Sequence, residues 1–257
     1  MRNPKRVFAE EREQEILRML QKNGSVTVDE LSRYFGISGS TIRRQLKMLE
    51  DQGKLFRTFG GAIKVDEAEE SFDLKRVTNM DLKKAIAQEA RKYINDGDII
   101  ALGGGTTVLE LAKLLSNAKN LVVITNSIAT AYELYKYPNI EVQVVGGTVR
   151  SVSGVMVGPK AVKFMENAFV EKTFVGTDSI SLEYGLTTTN CFEAEIEKQL
   201  MKHAQTVFVI TDHTKFGKVT LTPQIPISSV DYIITDKQVD ETICAKILEM
   251  GVKIITV

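Results

Sequence analysis

From residue 99 to the end of the chain, short apolar runs alternate with amphipathic stretches of helical period, and few folds accept that alternation. The strand-like runs fall at 99–102, 121–125, 141–145, 172–175, 206–211, 232–235 and 253–257. Helical stretches begin at Thr106 and Ser127 and cover 159–166, 191–203 and 240–250. Strands separated by helices in this way pair parallel, and the helices cover both faces of the sheet. The expected class is therefore α/β.

With 257 residues the chain has material for two domains. Its apolar runs are strand-sized, far short of the roughly 20 residues a membrane helix needs. The N-terminus is polar and charged rather than built like a signal peptide, so a cytoplasmic placement with Cys191 and Cys244 as reduced thiols is expected. Two histidines and no paired cysteine spacing argue against a structural metal, and no cofactor is expected. The formal net charge is zero but unevenly divided: residues 1–64 carry 13 Lys and Arg against 8 Asp and Glu. A head of +5 is thus joined to a remainder of −5, which suits a polyanion-binding module on a separate body.

Within that head, Ile16, Leu17 and Leu20 recur at helical spacing, and Asn23-Gly24 supplies a stop. Thr27-Val28-Asp29-Glu30 has the form of a capping box, followed by Leu31 and Phe35 on one face. Gly36-Ile37 turns the chain, Ser38 caps a third helix, and Gly53 ends it. In this third helix Ile42, Leu46 and Leu49 share one arc, while Ser40, Arg43, Arg44 and Lys47 point away from it. The pattern is a helix-turn-helix whose free face carries Ser38, Ser40, Thr41, Arg43, Arg44 and Lys47 to DNA. Strand-like 54–57 and 62–65 around Gly60-Gly61 add a wing. Arg57 and the glycine tip are placed to follow the phosphate backbone or enter the minor groove.

In an open α/β sheet, ligands gather beyond the carboxyl ends of the strands, and small polar residues collect there in this chain. Gly103, Gly104, Gly105, Thr106 and Thr107 lead from the first strand into a helix, a turn whose amides and hydroxyls suit an anion. It lacks the lysine of a P-loop and the spacing of a dinucleotide fingerprint. Asn126 and Ser127 open the second helix, Gly146 and Gly147 close the third strand, and Lys215 follows the run at 206–211. Arg150 and Ser153 read equally as ligands for a sugar or phosphate and as ordinary loop residues.

The head resembles the DeoR family of bacterial transcriptional regulators through Arg12, Ile16, Leu20, Ser38, Thr41, Arg43, Arg44 and Gly60-Gly61-Ala62. It departs from that pattern at Gln45, where aspartate is usual, and at Phe59, where histidine often precedes the glycines. Gln45 lies at the edge of the apolar stripe, able to pack or to reach an adenine edge, so the departure bears on operator sequence. The rest of the chain resembles the family's sugar-phosphate sensor domain, itself similar to ribose-phosphate isomerases and glucosamine-phosphate deaminases. The residues that carry it are the Gly103–Thr107 turn, Thr125-Asn126-Ser127, Gly146-Gly147, Gly176-Thr177-Asp178, Gly185-Leu186-Thr187-Thr188 and Asp212-His213-Thr214-Lys215-Phe216-Gly217. Gly103 stands where many sensors have aspartate.

The resemblance implies a winged helix-turn-helix over 1–65, a linker over 66–80 with an acidic hinge at 66–70, and a Rossmann-like effector domain over 81–257. It implies a repressor of a carbohydrate-use operon that binds double-stranded operator DNA, with a phosphorylated sugar as effector; two recognition helices set on half-sites lead to the expectation of a homodimer or homotetramer. The implied effector residues are those of the strand-end loops, with Arg150, Asp178 and Lys215. The alternative is a sugar-phosphate isomerase or deaminase with an accessory DNA module, in which Asp178, Glu193 and Glu195 would move protons. Against it, Ser179 follows Asp178 and no lysine lies in 181–185, and Glu193 and Glu195 read as exposed charges of an amphipathic helix.

Overall fold

The computed structural model describes residues 9–23, 25–51, 54–57, 60–64 and 72–257, and the chain divides into two compact units, 1–70 and 71–257. Gly24, Gly53, Phe59, Val65 and the acidic run 66–70, which carry the expected stops, wing departure and hinge, lie outside the described residues.

The smaller unit runs α1 (Ala9–Asn23), β1 (Ser25–Thr27), α2 (Val28–Phe35), α3 (Gly39–Asp51), β2 (Leu55–Arg57) and β3 (Gly61–Lys64). Its helices bury one stripe each, and Ile16, Leu20, Leu31, Ile42, Leu46 and Leu49 form a common core. The capping box closes: the Glu30 amide donates to Thr27 Oγ1 at 3.1 Å, and the Thr27 amide to Glu30 Oε2 at 2.9 Å. Gly36 takes the left-handed conformation that ends α2, with φ of +65°. The Ser38 hydroxyl accepts from the Thr41 amide at the start of α3.

The wing is an antiparallel sheet in the order β1-β3-β2. Its first strand, β1, was not expected, because three residues between two helices carry no readable period. That strand explains Gly61, where a Cβ would lie 1.9 Å from the Val26 carbonyl oxygen. Contact with β1 is thus one requirement for glycine at this position.

The larger unit begins earlier than the expected linker boundary of residue 80, with α4 (Phe72–Val77) and α5 (Met80–Arg91). There follow β4 (Ile99–Leu102), α6 (Thr106–Lys113), β5 (Leu121–Thr125), α7 (Ile128–Leu134), β6 (Ile140–Val144), the hairpin β7 (Thr148–Val149) and β8 (Met156–Val157), and α8 (Pro159–Met165). The chain continues through β9 (Val170–Val175), β10 (Ser179–Ser181), β11 (Gly185–Thr188), α9 (Cys191–Lys202), β12 (Ala204–Ile210), β13 (Thr222–Pro223), β14 (Tyr232–Thr235), α10 (Glu241–Glu249) and β15 (Lys253–Thr256).

Seven strands form one parallel sheet in the order β15-β14-β12-β9-β4-β5-β6. All seven expected strands are present, with ends that differ by up to two residues. The strands of the small antiparallel sheet β10-β11-β13 and of the hairpin β7-β8 were not expected, being short and rich in Ser, Thr and Gly. On one face Phe174, Phe208 and Tyr232 sit in register on β9, β12 and β14 and stack at centroid distances of 4.6 and 4.7 Å.

Gly61→Ala is expected to destabilise the smaller unit by more than about 2 kcal/mol, because backbone rather than a yielding side chain blocks the new methyl. Gly60→Ala, which meets nothing within 4 Å, is expected to cost under about 0.5 kcal/mol. Urea titration followed by circular dichroism distinguishes them.

Candidate functional site

In the smaller unit, α3 separates its two faces cleanly. Ile42, Leu46 and Leu49 are buried, while Ser40, Arg43, Arg44 and Lys47 are exposed. Ser38 Oγ lies 2.9 Å from both Ser40 Oγ and Thr41 Oγ1, so the hydroxyls at the helix start form one cluster. Gln45 does not join the exposed face. It is 5% exposed, and its Oε1 accepts from Arg12 Nε, which ties α3 to α1. The option of Gln45 reaching a base edge is thereby corrected: the residue is an internal brace. Arg57 is held by Glu50, whose Oε1 accepts from the Arg57 amide at 2.9 Å and whose Oε2 lies 3.7 Å from the guanidinium.

In the larger unit, the chain leaves β4 toward β5 and β6 on one side and later returns to β9 on the other. The ends of β4 and β9 thus mark the switch point at which open α/β sheets bind ligands. The loops there lie close together, most tightly at Gly104. A Cβ on Gly104 would lie 2.6 Å from Val155 Cγ1, and one on Gly176 would meet the Gly104 oxygen at 3.5 Å. Gly103 packs against Val175, and Gly105 precedes α6, whose first residues Thr106 and Thr107 are buried.

Beside this loop, Thr125 is paired with Leu102, which sets Asn126 next to Gly103. Asn126 is fully buried, and neither its Oδ1 nor its Nδ2 has a hydrogen-bond partner. A buried amide left unpaired costs on the order of 1–3 kcal/mol, so its presence at the switch point calls for a functional reason. Ser127 is different: its Oγ accepts from the Thr130 amide at 3.2 Å and serves as the cap of α7. Gly146 and Gly147 carry the chain from β6 into the β7–β8 hairpin.

Asp178 stands just past β9 in a network that sequence did not disclose. Lys75 Nζ of α4 lies 2.6 Å from its Oδ1, while Thr188 Oγ1 donates to Oδ2 at 2.7 Å and the Thr189 amide at 3.3 Å. Burial pushes the Asp178 carboxyl up, but the Lys75 ammonium and these donors outweigh it and hold its pKa below the usual value. Arg150 and Ser153 are engaged too, both donating to Glu193 Oε1. Glu193, expected as an exposed helix charge, is therefore buried and paired, whereas Glu195 is exposed. Glu197, one turn on, is buried and accepts from Gln224 Nε2. Burial first, then the charges of Glu193 and Asp178, push its pKa well above the usual carboxylate value, which favours the protonated form.

Lys215 lies in the short helix after β12 and makes no ion pair among the described residues. Its neighbour His213 is fixed by Asp236, whose Oδ1 is 2.9 Å from the ring Nδ1 and whose Oδ2 accepts from the His213 amide at 2.8 Å. Lys75, Glu197 and Gln224 are the site residues that sequence reasoning missed. Each meets a partner at least 27 positions away, a relation no local pattern reveals. Among the described residues no group of three or more His, Cys, Asp or Glu is set to hold a metal ion, and no helix is long and apolar enough to cross a membrane.

A winged helix-turn-helix head and a switch-point α/β unit define a DNA-binding regulator with a small-molecule sensing domain. The DeoR-like helix-turn-helix domain matches residues 12–68 and the DeoR C-terminal sensor domain residues 78–237, and the chain belongs to the DeoR family of transcriptional regulators. It is similar to the HTH-type transcriptional regulator GolR of Listeria innocua, 33% identical over 96% of this chain and 98% of that protein. It is 30% identical to the HTH-type transcriptional repressor CsqR of Escherichia coli, over 95% and 94% of the two chains. Ribose 5-phosphate isomerase from Plasmodium falciparum superposes on 53% of the chain and 52% of its own, with 23% identity and a TM-score of 0.40. The full-length relatives are regulators and repressors, and this chain is a regulator rather than an enzyme.

Glu197 ties stability to pH. Its carboxyl holds its proton to higher pH in the folded chain than in the unfolded one, where it ionises near pH 4.5, so stability falls as pH rises from about 4.5 through the raised folded value, at up to about 1.4 kcal/mol per pH unit. Asp178, with its lowered pKa, acts oppositely: its contribution is present above its unfolded pKa and lost as pH falls through the folded one. Glu197→Gln is therefore expected to gain on the parent between about pH 5 and 7, measured as the difference in urea midpoint across that range.

Proposed function

We propose that this protein is a repressor of a carbohydrate-use operon, acting in the cytoplasm, whose grip on operator DNA is controlled by a phosphorylated sugar bound at the β4–β9 switch point. The observation that carries the effector reading is Asn126, a buried, unpaired amide at the strand ends beside a glycine turn. In this reading the phosphate meets the amides of Gly105, Thr106 and Thr107 at the start of α6, with Lys215 supplying a point charge. Asn126 and Asp178 take the hydroxyl groups. Ser127, Gly146, Gly147 and Arg150 shape the surrounding loops, Ser127 through its cap and Arg150 through Glu193.

At the head, Arg43, Arg44 and Lys47, with Ser38, Ser40 and Thr41, present donors to phosphates and base edges, and the wing adds Arg57. A homodimer or homotetramer would set two such helices on half-sites about one helical turn, or a multiple, apart. The effector needs only to favour an arrangement in which that spacing is wrong.

Fluorescence anisotropy on DNA from upstream of the protein's own gene, titrated with sugar phosphates and the unphosphorylated sugars, tests the reading. One ester shifting a sequence-specific affinity supports it. Specific DNA binding that no ester alters overturns the effector assignment. Arg43→Ala or Arg44→Ala is expected to weaken operator binding by about 1–3 kcal/mol and to flatten its salt dependence, with ester binding intact. Lys215→Ala and Thr107→Val should do the reverse; equal loss of both activities in every variant would count against the division of roles.

A further inference from the structure

A weakly secured element of the larger unit lies nearest its entry. Helix α4 has six residues, too few to persist alone, and buries none of them; Leu74 and Val77 are 61% and 68% exposed. Polar contacts hold it. The Phe72 amide donates to the Val152 oxygen at 2.8 Å, and the buried Lys83 ammonium caps its far end, donating to the Lys75 oxygen and, at 2.7 Å, to that of Thr78. Between these anchors Lys75 reaches Asp178, a residue 103 positions later. An element fixed by polar contacts, with no buried side chain, belongs to the low-stability end of a fold.

We propose that Lys75 is an internal competitor of the effector: its ammonium and a sugar hydroxyl contend for the same Asp178 oxygen, and the hydroxyl-rich end of a phosphorylated sugar wins by expelling Lys75, which unlatches α4. This rests on the reading of the switch-point loops as the effector site. Asp178 lies two residues past Gly176, which abuts Gly104, so the contested oxygen belongs to the same strand-end cluster as the glycine turn.

Exchange of donors on Asp178 fits its surroundings. The carboxylate is largely buried and shares its region with Glu193 and Glu197, so it must keep a donor on each oxygen. Thr188 and Thr189 stay on Oδ2 throughout, which keeps Oδ1 aimed as the donor changes. Lys75 has a quarter of its side chain exposed and so a path to water, and the incoming hydroxyl spares Asp178 the cost of an unpaired buried oxygen. Release of α4 frees the stretch that directly follows residues 65–71, which gives ligand binding a route to the chain leading to the head.

Hydrogen exchange of the amides of 72–78 and ester binding, both on the full chain, test this with hexose 6-phosphates and pentose 5-phosphates as probes. The ester that shifts operator affinity is expected to speed exchange at 72–78 about tenfold or more in the parent protein. Lys75→Met is expected to show fast exchange without ester and to bind that ester at least about threefold tighter, its competitor being gone. Lys75→Arg should remain near the parent on both counts. Weaker ester binding by Lys75→Met would make Lys75 a direct ligand and overturn the proposal, as would exchange at 72–78 that no ester changes. Equal affinity of parent and Lys75→Met sinks the competition alone, whereas no ester binding by either sinks the sugar-phosphate reading beneath it.

Discussion

The larger unit depends on β4 being central. With β5 on one side and β9 on the other, the chain must leave β4 in one direction and come back to the opposite edge, so the loops beyond β4 and β9 part over the sheet. The glycines there let the loops come close: Gly103 lies against Val175, Gly104 against Val155, and Gly105 beside Gly176. A side chain at Gly104 would displace Val155. The stacked row of Phe174, Phe208 and Tyr232 on the neighbouring strands supplies the rigid packing against which such a loop cluster can hold its geometry.

A second constraint is electrostatic. Among the described residues Asp178 pairs with Lys75 and Glu193 with Arg150, and the charges of these two carboxylates add to burial in raising the pKa of Glu197. The roles divide accordingly: Asp178 takes Lys75 and stays charged, Glu193 takes Arg150 and Ser153, and Glu197 sits beside Gln224 with its protonated form favoured. Asp178 and Glu193, two of the three carboxylates that an isomerase reading would enlist for proton transfer, are paired with Lys75 and Arg150. Arg150, read from sequence as a ligand or a bystander, donates to Glu193.

How much was legible in sequence follows from the range of the interactions. Strands such as Leu121–Thr125 declare themselves by β-branched composition, and the capping box at Thr27 is a three-residue relation. Helix α5 was passed over because its buried stripe is Lys83, Ile86, Ala87 and Ala90, in which small residues and a lysine dilute the apolar period. Asn126 was found as part of a motif, but its missing partners are visible only in three dimensions. Lys75 carried no local sign, since the acidic run before it marked the region as a boundary and its partner lies 103 residues on.

Gln45 shows the same limit from the other side. On a helical projection it sits at the margin between stripe and free face, and residue type does not decide between them. Arg12 decides: burying a guanidinium edge against α3 requires an acceptor, and the Gln45 amide oxygen provides one without adding a negative charge behind the DNA-facing surface. An aspartate there would pair more strongly but would offset part of the field that Arg43, Arg44 and Lys47 project. A neutral brace therefore gives up some strength in the α1–α3 contact and leaves the positive face of α3 undiminished, a trade that favours long-range attraction to phosphates over rigidity of the head.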